Sequence, residues 1–192
     1  MSERSPAFSR LCDAALRHFA KDGYEGASLG TIADDLGIRK ASLYSHVKSK
    51  DALYLLVFDD AVAAEEAFAS ACFGGHTADA LPGEGYLHAL ADRFEASLHL
   101  QLLLKAAYFP PAQHKARIVA DFTRFYEGLR EMFLADVERL PLSPAVAGKR
   151  EVYAESWLGI VDSLCVELLY GNAERTTLRK EAMLMLLSKA LR

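Results

Sequence analysis

Long apolar runs are missing from this chain. None approaches the ~18 residues that a membrane-spanning helix needs; the longest near the end, from Ala182 to Leu187, is part of one helix. The opening Met1-Ser2-Glu3-Arg4 lacks the apolar stretch of a secretory signal, so a soluble, cytoplasmic protein with no membrane partner is expected. Cysteine is scarce. Cys12, Cys72 and Cys165 are odd in number, far apart and without a C-x-x-C pair, which supports neither a zinc site nor a disulfide framework. Each reads instead as a small apolar residue in a reducing compartment. Catalytic signatures are missing too: no G-x-S-x-G elbow, no G-x-x-x-x-G-K phosphate loop, no G-x-G-x-x-G and no H-E-x-x-H. Gly83-Glu84-Gly85 lacks the strand and helix that such loops need, so no enzyme and no cofactor are expected. Strand-like alternation is equally scarce.

What is present is a helical pattern with a concentrated charge. The 192 residues are 52% hydrophobic and 25% charged, enough for a packed core. The net charge is −4, yet Ile38 to Lys50 holds four bases (Arg39, Lys40, Lys48, Lys50) and no acid. That +4 segment on an otherwise acidic chain has the distribution of a phosphate-facing patch. Periodicity and stop signals predict helices over about 8–22, 50–71, 86–108, 112–139, 145–170 and 175–191. Two very short helices lie between the first and second of these.

The segment from Ser28 to Val47 carries the most information. Two short helices that cross steeply need a small residue where they touch, and Ala33 supplies it. The first must stop abruptly in a left-handed conformation, which Gly37 adopts without a Cβ penalty. Ile32, Leu36, Ile38, Leu43 and Val47 fall where apolar residues would pin both helices. Ser28 or Thr31 caps or enters the first, Ser28 being the better cap. The second then exposes Lys40, Ala41, Ser42, Tyr44, Ser45 and His46, small or polar enough for a major groove about 12 Å wide. Arg39, Lys40, Lys48 and Lys50 suit phosphates, and Tyr44 and His46 can donate to phosphate oxygens.

These residues carry a family likeness. Gly23-Tyr24-Glu25, Ile32-Ala33, Leu36-Gly37-Ile38, Leu43-Tyr44-Ser45-His46 and Lys48-Ser49-Lys50-Asp51-Ala52-Leu53 resemble the N-terminal signature of the TetR/AcrR regulators, over about Phe8 to Leu56. Ala41 stands where the family usually has Gly, Val47 where it has Phe, and Ala27-Ser28-Leu29 replaces its usual Thr. The resemblance implies an all-α homodimer of about nine helices per subunit. An N-terminal three-helix bundle with a helix-turn-helix would occupy residues 1–50, and a helical ligand-binding and dimerisation domain residues 51–192. Each subunit would read half of a near-palindromic operator, as a repressor released by a small molecule. By match, Lys40, Ser42, Tyr44, Ser45, His46 and Lys50 would contact DNA; Ser28, Thr31, Arg39, Ala41 and Lys48 complete the expected DNA-binding set.

In the body, aromatics among the middle helices are the expected effector residues: Phe94, Tyr108, Phe109, Phe122, Phe125, Tyr126 and Trp157. Phe109-Pro110-Pro111 resembles a family hinge. Ile160, Leu164 and Leu168, with Ala182, Met185 and Leu186 on the last helix, are the expected dimer residues; two helices from each subunit would make a four-helix bundle. His88, Asp92, Glu95 and His99 are spaced to share one face of a single helix, where a metal is conceivable. Leu87, Leu90, Phe94 and Leu98 fill the opposite side, so a solvated face is the reading adopted and no metal is expected. A helical protein–protein adaptor without DNA binding is the alternative function.

Overall fold

A computed structural model describes residues 4–73, 80–139 and 148–191. Among them there are helices and no strand: α1 Pro6–Gly26, α2 Leu29–Asp35, α3 Lys40–Leu43, α4 Lys50–Phe73, α5 Glu84–Ala96, α6 Leu98–Tyr108, α7 Lys115–Val137, α8 Arg150–Tyr170 and α9 Ala173–Leu191. A short 3-10 turn, Ala112–His114, precedes α7. No helix among the described residues is long and apolar enough to cross a membrane.

The chain divides into two compact units, Met1–Glu65 with Ser97–Ala120, and Glu66–Ala96 with Asp121–Arg192. This grouping differs from a boundary at residue 50. The first unit keeps most of α4 and all of α6 with α1, α2 and α3.

In the first unit, α1 begins with Ser5 accepting from the Phe8 N–H at 3.3 Å and Pro6 in its first turn, where a missing donor costs nothing. Its regular turns end at Gly23, whose φ of 70° lies in the left-handed region. Leu11, Ala14, Ala15 and Phe19 form its buried stripe, and α6 packs on it. Tyr54 and Phe58 of α4 bury their rings in the same core, with the Tyr54 ring edge-on to Phe19 at 5.0 Å. Each such side chain contributes roughly 1.5–3 kcal/mol by leaving water.

One expectation is corrected here. The helix read as continuous from Tyr86 to Tyr108 is two helices. Ser97 adopts an extended backbone (φ −116°, ψ 110°), and its hydroxyl accepts from the Leu100 N–H to cap α6. The same hydroxyl donates to Glu65 at 3.1 Å, inside the core. His88, Asp92 and Glu95 therefore sit on α5 while His99 sits on α6, and the four do not share one helical face. Among the described residues, no cluster of three or more His, Cys, Asp or Glu side chains is placed to hold a metal.

The second unit is built around Trp157 of α8. Phe133 stacks on it at 5.2 Å, Phe73 meets it edge-on at 5.6 Å and Tyr86 tilts against it at 6.0 Å. Gly83 presses its backbone against the indole, so close that a Cβ there would lie 2.5 Å from the ring. The Gly83 N–H donates to the buried carboxylate of Asp136 at 3.2 Å. Gly171 ends α8 in an extended rather than left-handed conformation, and Asn172 caps α9 by accepting from Arg175 N–H at 2.9 Å. The buried Glu167 ties α8 to α9 through Arg179 at 2.6 Å and Arg175 at 3.4 Å.

Cys12 and Cys165 are buried free thiols, and burial pushes the Cys165 thiol up to about 12.

Candidate nucleic-acid interface

The reader surface follows from three local devices. Ser28 caps α2: its hydroxyl accepts from the Thr31 N–H at 3.0 Å, while Thr31 Oγ1 accepts from the Ser28 N–H at 3.3 Å, a reciprocal capping box. Gly37, with φ 66°, then turns the chain, and the Ile38 N–H returns to the Ala33 carbonyl at 3.0 Å. Finally, Ser49 caps α4 by accepting from the Ala52 N–H at 3.1 Å. Arg17 pairs with Asp35 at 2.9 Å, holding α1 to α2 and keeping the Asp35 carboxyl below its ordinary range.

Between these fixed points α3 is a single turn. Leu43 and Val47 bury their side chains, and Ile32 and Ala33 of α2 are buried as well. Lys40, Ala41, Ser42, Tyr44, Ser45 and His46 are all exposed. The anchoring set is smaller than the sequence suggests: Leu36 is half-buried and Ile38 is 37% exposed, because the left-handed turn at Gly37 swings Ile38 away from the core.

A shallow concavity of about 330 Å³ brings Ser28, Lys40, Tyr44, Lys48 and Lys50 together, with Ser49, Ala27 and Leu29. It holds three bases and three hydroxyls and no acid, the chemistry of a phosphate seat. Arg39 and Thr31 are exposed outside it. Ser45 donates its hydroxyl to the Ser42 carbonyl at 2.7 Å, and the His46 ring lies 6.2 Å from that of Phe8.

Sequence reasoning gave Tyr24 no role. Its ring carries the Lys50 ammonium at 4.1 Å, and its hydroxyl donates to Asp51 at 2.9 Å. His114 reaches the same Asp51 oxygen at 2.7 Å. The Tyr24 hydroxyl, and secondarily His114, hold the Asp51 carboxyl below the usual carboxylate range. Burial, with Asp51 adding, raises the Tyr24 phenol. An aromatic directly after a left-handed glycine and 26 positions before a lysine gives no local signal of this contact.

The residues expected at an effector site fall in both units. Tyr108 and Phe109 belong to the first; Phe94, Phe122, Phe125, Tyr126 and Trp157 belong to the second. Phe122, Phe125 and Tyr126 cluster, with ring centroids 5.8–6.3 Å apart. Trp157 is fully buried, and its indole Nε1 has no hydrogen-bond partner among the described residues. Of the expected dimer residues, Ile160 and Leu164 are buried within the chain, so their side chains face its own core. Leu168 and Ala182 are half-buried. Met185 and Leu186 are 54% and 60% exposed, and Leu178, two turns earlier on the same face, is 66% exposed.

Residues 11–57 match the family described as bacterial regulatory proteins, tetR family. Among curated proteins, the chain is 42% identical over 45 residues to a biofilm operon icaADBC HTH-type negative transcriptional regulator, IcaR, of Staphylococcus aureus (strain Newman). That match spans 23% of this chain and only about a quarter (24%) of the relative's length. Solved structures share the fold over almost the whole chain. The fatty acid degradation regulator FadR from Bacillus halodurans superposes with a TM-score of 0.73 at 15% identity, covering 97% of each chain. A TetR-like transcriptional regulator from Rhodococcus sp. RHA1 superposes with 0.70 at 19% identity, covering 100% of this chain and 98% of that one. Residues 11–57 thus carry the signature of the tetR family of bacterial regulatory proteins, and the fold around them is one that solved TetR-like regulators share.

Proposed function

We propose that this chain is a homodimeric, ligand-responsive repressor that reads a near-palindromic operator through α3 and the start of α4. The observation that carries the reading is the basic concavity. Lys40, Lys48 and Lys50 converge there with Ser28 and Tyr44, and Leu43 and Val47 anchor the exposed turn beside it. Lysines on a rigid frame neutralise phosphates, while Ser42, Ser45 and His46 remain open for base edges. The negative sign of regulation is borrowed from the IcaR likeness in the reader.

The homodimer is supported by α9. Leu178, Met185 and Leu186 recur at helical spacing and are all more than half exposed, an apolar stripe that a second copy would cover. An effector is supported by Trp157, whose buried Nε1–H lacks, among the described residues, an acceptor that a bound molecule could supply. The effector aromatics proposed are those of the second unit.

Selection of bound sequences from a random duplex pool at near-physiological salt tests the function. Enrichment of a two-fold symmetric site, lost with Tyr44→Ala, is the expected result. No enrichment with or without a metabolite mixture would leave the adaptor reading.

A further inference from the structure

The first unit contains a cleft of about 400 Å³ that the DNA-reading role does not use. It opens where α1 ends, beside the start of α4 and the end of α6. Its wall includes the rings of Phe19, Tyr24, Tyr54 and Phe109, and the carboxylates of Asp22 and Glu25. We propose that this cleft binds an organic monocation, a protonated amine carrying an apolar ring or chain.

Size and lining come first. A volume of about 400 Å³ falls in the range of small-molecule pockets, roughly 300–1,000 Å³, and aromatic walls with few polar groups are their usual make-up. The second observation is Tyr54. Its side chain is only 1% exposed, it lines the cleft, and among the described residues no hydrogen bond reaches its hydroxyl. Tyr54 thus presents a hydroxyl at the cleft that is not committed to another side chain, where a ligand's polar group can meet it. The phenol oxygen can accept from an ammonium N–H.

The sign of the charge follows from the surroundings. The regular part of α1 ends at Gly23, so its last carbonyls and the negative end of its dipole face this place. Asp22 and Glu25 add two carboxylates. Two cations of the chain are already drawn in. Lys105 donates its ammonium to the Lys21 carbonyl at 2.5 Å, and Lys50 sits over the Tyr24 ring. Lys105 is the basic residue on the wall, its ammonium turned onto that carbonyl, and it stands against the two carboxylates of Asp22 and Glu25, so the lining keeps an excess of negative charge for a guest. Stacked and edge-on rings (Tyr24 and Tyr54 at 5.1 Å) offer faces on which an ammonium is favourable. The site is distinct from the effector aromatics proposed in the second unit.

Titration of the full chain with 2-phenylethylammonium, by calorimetry and by NMR, tests this. The expected result is saturable one-to-one binding with a Kd below about 1 mM, and at least ten-fold weaker binding of the neutral isostere 2-phenylethanol. Tyr54→Phe weakens the amine by about five-fold, the worth of one hydrogen bond. Ala112→Trp, placed at the exposed lip of the cleft, blocks it while leaving the melting temperature unchanged. Asp22→Asn with Glu25→Gln removes the preference for the charged probe. The proposal is overturned by no saturable binding, by equal binding of amine and alcohol, or by amine binding that neither Tyr54→Phe nor Ala112→Trp disturbs. DNA affinity measured without amine is independent of every arm, so failure here leaves the regulator reading standing.

Discussion

The Lys50 ammonium sits 4.1 Å above the centre of the Tyr24 ring, with the Tyr24 hydroxyl held by Asp51 one residue along α4. A flexible lysine is thereby pre-positioned at the edge of the basic concavity before any DNA arrives. Cation–ring contacts contribute about 0.5–1 kcal/mol at exposed sites and about 2 when desolvated. Tyr24→Leu is therefore expected to weaken duplex binding by roughly three- to ten-fold, whereas Tyr24→Phe, which keeps the ring, weakens it far less. Fluorescence anisotropy on one duplex separates the two, and equal losses would show that the ring is not what positions Lys50.

Asp51 gives a pH dependence with a definite sign. Its carboxyl is held below the ordinary range by the Tyr24 hydroxyl first and by His114. A depressed carboxylate contributes stability that is complete above its unfolded-state value and is lost as pH falls through the folded-state value. Asp51 is well exposed, so the contribution is modest. Asp51→Asn should melt up to about 2 °C below the parent at pH 7, the gap closing on acidification below the carboxylate range. A gap that widened in acid would contradict the sign.

Two glycines separate backbone strain from collision. Gly37 and Gly83 both have φ 66°, but a Cβ on Gly37 meets nothing within 4 Å, whereas one on Gly83 would meet the Trp157 ring at 2.5 Å. Gly37→Ala should cost about 1–2 kcal/mol, the left-handed penalty alone. Gly83→Ala should cost about 1–3 kcal/mol more, the price of overpacking a filled core. Denaturant unfolding of both variants, compared with the parent, measures the difference.

The proposed dimer face predicts its own disruption. Met185→Lys with Leu186→Lys places two charges on the exposed stripe of α9 without touching a buried residue. Light scattering at micromolar concentration should show the mass fall from two chains to one, with helical content retained. A parent chain already monomeric there would remove the face from the account.

The local signals in the sequence led to the right elements. Ser28, Gly37 and Ser49 act on neighbours within five residues, and each does in the structure what its type and position suggest. The break at Ser97 was not legible, because Ala96-Ser97-Leu98 holds neither glycine nor proline. Its cause lies partly 32 positions away, in the buried Glu65 that receives the Ser97 hydroxyl. Tyr24 escaped for the same reason, its partners lying on α4 and before α7. On α8, apolar residues run nearly all round, so periodicity did not tell which of Ile160, Leu164 and Leu168 would face the chain's own core.

Salt dependence of binding to a selected duplex tests the central claim most directly. With Lys40, Lys48 and Lys50 on phosphates, log affinity falls linearly with log salt, and Lys40→Ala weakens every duplex alike while reducing the slope by about one. An unchanged affinity and slope for Lys40→Ala would contradict the placement of the DNA on this surface.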